Sequence, residues 1–184
     1  MATTKKPITA EELFEMDDCD AYVELIEGEL QEMTPPPGWE HGHTTSTVGL
    51  LIAVYVRANR LGQVAVGDPG IILKRDPDTV RGPDVAFISS ARLPPDRSIP
   101  GYPEIAPDLV VEVVSPGDRA GRIQQKVAQW LAAGVRLVWV VYPLSRHVVA
   151  YRELAHPRVY TEEETIDAEP VLPGFSCAVA EFFA

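Results

Sequence analysis

The segment Asp108-Leu109-Val110-Val111-Glu112-Val113-Val114 restricts the fold of this chain more than any other. It is β-branched and almost wholly apolar, and Ser115-Pro116-Gly117-Asp118 ends it. A strand that is apolar on both faces has to be covered on both, which puts it in the middle of a sheet. The next stretch, Arg122 to Ala133, carries Ile123, Val127, Trp130 and Leu131 along one stripe, with Gly134 as a stop. A second apolar strand, Leu137 to Tyr142, follows at once. Strand, helix and strand in that order imply a parallel pair joined by a right-handed crossover. His147–Arg152 is then expected to return as a hairpin across Pro143-Leu144-Ser145-Arg146.

The remaining segments build outward from that unit. Ile8 to Phe14 reads as a short helix, with Thr9 as N-cap and Glu12 completing a capping box. Tyr22–Ile26 and Glu29–Met33 read as two strands, and Glu27-Gly28 between them is a hairpin signal. Thr34-Pro35-Pro36-Pro37-Gly38 breaks regular structure. Between Thr44 and Asn59, Val48, Leu51, Ile52 and Tyr55 recur at helical spacing, and Gly62 follows as a stop. Val64–Val66, Gly70–Lys74 and Asp84–Ser89 read as strands, and the Pro-rich Leu93 to Pro107 as a long surface loop. The tail from Val171 to Phe183 is apolar enough to dock on the body. The expected fold is α/β: a mixed β-sheet flanked by helices with an N-terminal β-hairpin, in one domain over residues 1–184.

Composition limits the function classes. No apolar run approaches the ~20 residues of a membrane span. The start, Met1 to Pro7, lacks the apolar core of a secretory signal, so a cytoplasmic location is expected. Cys19 and Cys177 follow no metal-ligand spacing and read as free thiols. The net charge of −11 opposes binding to nucleic acid at long range. A local basic strip can still act, because screening confines charge effects to roughly 8–10 Å.

Glu112 is the most informative residue, since it interrupts an aliphatic strand that ought to be buried. An unpaired carboxylate there costs several kcal/mol or takes up a proton. The alternatives are a partly exposed strand end or an ion pair with an arginine. Asp84 follows Pro83 and opens the strand that ends at Ser89. Taken with Glu112 on a neighbouring strand, it makes a paired-carboxylate hypothesis. Two such oxygens and a backbone carbonyl suit a hard cation such as Mg²⁺. Lys126 falls at the margin of the helical stripe, so periodicity leaves it either reaching into a polar pocket or lying in solvent. Glu24, in Tyr22-Val23-Glu24-Leu25-Ile26, reads as a solvent-facing strand residue on alternation alone.

Other residues attract attention without forming a site. His41 and His43 flank Gly42 in what reads as a polar loop, and no further soft ligands accompany them for zinc. Arg57, Arg60, Arg119 and Arg122 are either a basic rim or solvated helix-end cations. Trp39 either stacks on a base or packs under its loop. Ser115 has no histidine near it in sequence, which argues against a serine nucleophile.

Arg81-Gly82-Pro83-Asp84-Val85-Ala86-Phe87 and Asp108 to Pro116 together resemble the PD-(D/E)XK nuclease superfamily. More narrowly, the chain resembles its Uma-type restriction-endonuclease-like family. The likeness runs through Tyr22–Leu30, the Lys126 to Gly134 helix end, Leu137–Pro143 and Leu172-Pro173-Gly174-Phe175. It implies Mg²⁺-dependent phosphodiester hydrolysis, with Mn²⁺ as an alternative ion, DNA as substrate and a homodimer as the form that cuts a duplex. Asp84 matches the motif's first acid and Glu112 its second. Position 114 is valine where the motif has lysine. Lys126 matches a lysine that replaces it from the following helix, and Glu24 matches an additional family acid. The implied catalytic set is Asp84, Glu112, Lys126 and Glu24, with Asp84, Glu112 and the Val113 carbonyl holding the metal. The competing readings are a nuclease-fold binding module without activity and a hydrolase of another phosphate ester.

Overall fold

A computed structural model describes residues 6–16, 23–32 and 38–184. The Thr34–Pro37 break and Cys19 lie outside the described residues. The elements in chain order are α1 (Ala10–Phe14), β1 (Val23–Ile26), β2 (Glu29–Glu32), α2 (Trp39–Asn59), β3 (Gly62–Val66), β4 (Ile71–Lys74), β5 (Thr79–Arg81) and β6 (Val85–Ser89). They continue with β7 (Leu109–Val113), α3 (Ala120–Ala132), β8 (Leu137–Tyr142), β9 (His147–Tyr151), β10 (Arg158–Thr161), β11 (Thr165–Asp167) and β12 (Ser176–Ala178). A 3-10 helix, Val179–Phe183, closes the chain.

Local chemistry accounts for the first elements. The Thr9 hydroxyl accepts from the Glu12 N–H at 3.1 Å, and the Glu12 carboxylate accepts from the Thr9 N–H at 2.9 Å. That reciprocal pair is the capping box read from the sequence. In the hairpin, Glu27 and Gly28 both adopt positive φ, 50° and 79°, the backbone of a tight two-residue turn. A Cβ on Gly28 would lie 2.4 Å from the Pro7 side chain, so this turn also needs glycine for space.

The main sheet has six strands in the order β10-β9-β8-β7-β6-β3. β7 and β8 pair in parallel, from Leu109↔Leu137 to Val113↔Val141, and every other pairing in the sheet is antiparallel. The crossover between the parallel strands is α3, as strand–helix–strand order requires. A second sheet, β2-β1-β5-β4, carries the N-terminal hairpin, and β11 pairs with β12. The short strands β5, β10, β11 and β12 have no counterpart in the sequence reading.

Each face of the main sheet has its own core. On one side Val48, Ile52 and Val56 of α2 meet Val111, Trp139 and the tail residues Leu172, Phe175 and Phe182. On the other, Val127 and Trp130 of α3 meet Val110, Val138 and Val140. Alternate residues of β7 therefore serve opposite cores, as a doubly covered strand demands. Position 112 falls on the α3 side, so a carboxylate enters the layer that α3 covers.

Ile52→Ala should cost about 2–5 kcal/mol, because it empties a fully buried position between α2 and the sheet. Val54→Ala, on the exposed side of the same helix, should change stability by less than about 0.5 kcal/mol. Urea unfolding of the two variants checks the contrast.

Candidate functional site

The residues singled out in the sequence converge at the carboxyl end of β7. Glu112 is buried there, and both of its oxygens face donors on α3. The Lys126 ammonium donates to Oε2 at 2.8 Å, and the Trp130 indole N–H donates to Oε1 at 2.7 Å. Lys126 and Trp130 lie four residues apart, hence on neighbouring turns of one helix face. A single face of α3 thus holds the carboxylate by both oxygens. Periodicity had left Lys126 undecided; its side chain is inside.

Asp84 sits just before β6, and its Oδ2 accepts from the Val113 N–H at 2.6 Å. β6 and β7 pair with Val85 opposite Val111, so one further rung sets Asp84 opposite Glu112. Directly opposed residues of an antiparallel pair bring their Cβ atoms to about 4.5–5.5 Å on one face. The two acids therefore share a side of the sheet.

Glu24 departs from its sequence reading. Instead of facing solvent it is only 2 % exposed, ion-paired with the buried Arg81 and accepting from the Gly82 N–H at 3.2 Å. Its Oε1 lies 3.6 Å from the Lys126 ammonium. Arg81 also donates to Gln129 of α3 at 2.9 Å. The Gly82 carbonyl lies 3.5 Å from the same ammonium. Alternation could not reveal this, because the partners that meet Glu24, namely Arg81, the Gly82 amide and Lys126, come from distant parts of the chain.

Four participants had no place in the expected site. His41 belongs to the first turn of α2, which begins at Trp39 instead of near Thr44, and its Nε2 is 3.3 Å from Asp84 Oδ1. His43 lies on the same turn, exposed, and so does Trp39, which packs under nothing at 88 % exposure. Asp68, in the turn after β3 at φ 56°, interacts electrostatically with Asp84, Lys126, His41 and Glu24. Arg81 was part of the quoted motif but had no assigned role. Trp130 did carry a signal, since a buried indole N–H needs an acceptor.

Charge balance shapes the cluster. Burial pushes the Glu112 carboxyl up to about 7, and Asp84 adds to the rise while Lys126 opposes it. Burial works against the Lys126 ammonium, but Glu112 and Glu24 outweigh it and raise its pKa. The two directions are compatible, because Lys126 keeps its proton against Glu24 and Asp84 even when Glu112 is neutral. Burial also lowers His41, yet Asp84, Asp68 and the Val113 backbone together raise it. The Asp68 carboxyl rises through burial and the nearby Asp84 charge.

The family likeness implies a divalent cation, and the donors present fit a hard one. Asp84, Glu112 and the Val113 carbonyl offer oxygen only, and each carboxylate oxygen has a second lone pair beyond the hydrogen bond described. Among the described residues no three His, Cys, Asp or Glu side chains form a ready metal cage. Mg²⁺ suits such an incomplete set, since it commonly binds one or two carboxylates and keeps water or phosphate oxygens for the rest.

The mixed sheet has the architecture of restriction-endonuclease-like nucleases. A solved structure titled as a putative nuclease belonging to DUF820, from Anabaena variabilis, superposes with a TM-score of 0.81 at 20% identity. The match covers 96% of this chain and 98% of that one. Residues 10–180 match the family model Uma2, described as "Putative restriction endonuclease", and the chain belongs to that family. No protein of curated function matches it. No helix among the described residues is long and apolar enough to cross a membrane.

The raised Glu112 pKa has a measurable sign. The folded state binds that proton more tightly than the unfolded state does. Its contribution to stability is therefore complete below about pH 4.5 and is lost as pH climbs through about 7. Thermal midpoints without metal should move in favour of Glu112→Gln, relative to the wild type, between pH 4.5 and 7.5. A difference independent of pH in that window would count against the raised value.

Proposed function

We propose that this protein is an endonuclease that hydrolyses phosphodiester bonds in DNA with Mg²⁺, or with Mn²⁺ in its place. The observation that carries this reading is Lys126. The motif's lysine is missing at Val114, yet an ammonium reaches the paired acids from α3, 2.8 Å from Glu112. Asp84, Glu112 and the Val113 carbonyl would hold the ion. When bound, a divalent cation polarises a phosphate and makes its water a stronger acid.

The side chains then divide the remaining work. Trp130 holds the Glu112 carboxylate in place through Oε1. Lys126 sits preorganised, with Glu24 and Glu112 holding it charged. A fixed ammonium beside the acids can stabilise negative charge as it grows on a phosphate, with little reorganisation. Arg81 neutralises Glu24 and leaves the lysine's charge available to substrate. The net charge of −11 does not forbid this arrangement. The acids that crowd the cleft are the groups a cation would neutralise, and effects farther off are screened.

The absent motif lysine and the acidic surface favour a second reading, a nuclease-fold binding module without activity. Hydrolysis of another phosphate ester on the same site is a third. A homodimer is the form proposed for cutting a duplex, and the cytoplasm the location.

Supercoiled plasmid should be nicked with Mg²⁺ and left intact with EDTA. Asp84→Asn and Glu112→Gln should each lower the rate by at least about a hundredfold, as losing one preorganised electrostatic partner does elsewhere. Lys126→Ala should lower it while leaving Mg²⁺ binding in place. A Glu112→Ala protein that still binds Mg²⁺ and cuts would falsify the assignment. Activity on a mononucleotide without plasmid nicking would select the third reading.

A further inference from the structure

We infer that the cavity beside Trp39 receives an unpaired nucleobase of the substrate strand, which makes single-stranded DNA, or a strand parted from its partner, the substrate class. The inference rests on the proposed nuclease reading and adds to it a contact site outside the acid cluster.

The three tryptophans are placed very differently. Trp130 and Trp139 are fully buried, whereas Trp39 stands in solvent on the first turn of α2. Exposure alone would mean little, since single apolar side chains are often left on a surface. This ring, however, walls a cavity of about 240 Å³ together with His43, Thr44, Pro143, Arg146 and Phe183.

The lining suits a flat, neutral, aromatic guest with polar edges. Trp39 and Phe183 offer ring faces, and the Arg146 guanidinium already lies over the Phe183 ring, 5.1 Å from its centre. The Thr44 hydroxyl and the His43 ring carry donors and acceptors for the edges of such a guest. A phosphate is poorly served. Glu40 lines the same cavity, and Arg146 is already ion-paired with Glu162. At about 240 Å³ the space also falls below the ~300 Å³ at which pockets for drug-sized ligands begin, which limits the guest to about the size of one base.

Position connects the cavity to the acids. At ~100° per residue, His41 lies roughly opposite Trp39 and His43 on the first turn of α2. His41 faces Asp84 on one side of that turn, and the cavity lies on the other, beside the turn that follows β8. One helix width, about 10–12 Å, therefore separates the two. A strand with a phosphate at the acids covers that distance in about three nucleotides at the ~3.4 Å rise of stacked DNA, and in fewer when extended. Bases within a duplex are stacked on one another, so only a base taken out of the stack can lay its face on Trp39. Every base has such a face, so the contact selects unpaired strands without selecting a sequence.

The test uses the full chain with Ca²⁺ in place of Mg²⁺, and its readout is binding. The probes are a short oligothymidylate, the same backbone without bases, and a blunt duplex. Tryptophan emission reports on Trp39, because the other two indoles are buried. The oligothymidylate should quench the emission, and the duplex should leave it unchanged. Trp39→Ala should weaken oligothymidylate binding at least about fivefold, as losing one stacked base does elsewhere, while Trp39→Phe keeps most of it. The baseless strand should bind the wild type and Trp39→Ala equally, and more weakly than oligothymidylate binds the wild type. Circular dichroism checks the fold of each variant; were Trp39→Ala to unfold, quenching and the baseless strand decide on the wild type alone. Oligothymidylate bound without quenching, a duplex that quenches as strongly, or a baseless strand that binds the wild type as tightly overturns the inference and leaves the nuclease reading standing. Failure of every probe to bind overturns it too, and together with an unnicked plasmid in Mg²⁺ it removes the nuclease reading as well.

Discussion

A carboxylate placed inside the central strand is the constraint around which the rest is arranged. Left alone, Glu112 would cost several kcal/mol or stay neutral. Lys126 and Trp130 oppose that without cancelling it, and in doing so they set the rotation of α3 about its own axis. The lysine is held in turn by Glu24, Glu24 by Arg81, and Arg81 by Gln129 back on α3. The loop of partners closes on the helix where it began. Removing one member strands a buried charge, which in comparable settings costs about 3–5 kcal/mol. The same network thus supports both the layer packing and the proposed site.

Asp108, at the other end of β7, shows why a buried acid is not enough to make a site. It is almost fully buried, yet it accepts from the Ser89 N–H at 2.8 Å and faces Arg92 and Arg136 at 3.3 and 3.6 Å. Two cations and an amide serve one carboxylate there. At the opposite end, Asp84, Glu112 and Asp68 gather around one lysine and one histidine. The first arrangement ties the end of β6 to the starts of β7 and β8. The second leaves a surplus of negative charge aimed at one point.

Strong local signals made much of the architecture legible in advance. Thr9 and Glu12 cap α1, Glu27-Gly28 turns the hairpin, and the apolar runs of β7 and β8 flank the amphipathic α3. Glu112 was legible because it violates its own strand's pattern, and Asp84 because it accompanies it. Lys126 lies at the edge of its stripe, where ~100° steps do not decide between inside and outside. Its direction is a tertiary fact, as is the burial of Glu24. The first turn of α2 was missed because the apolar period does not reach back past Thr44 and Gly42 is a weak helix former after a proline run. Tertiary contacts, among them His41 against Asp84, override that weakness. β5 has three residues, too few for any period to show. The family likeness pointed to Lys126 and Glu24, and packing supplies the physical reason for both positions.

Only Gly82 and Pro83 separate the last strand of the small sheet from Asp84, at the entrance to the large one. The Gly82 amide is anchored to Glu24, while its carbonyl faces Lys126. This dipeptide is a short tether, and proline stiffens it. Any slip of the hairpin layer against the main sheet would be delivered, almost undamped, to the lysine's aim and to the reach of Asp84. Substitutions in β2, the outer strand of the ribbon, should consequently disturb the proposed site before the body of the protein loosens. The ribbon is a lever arm on the proposed site.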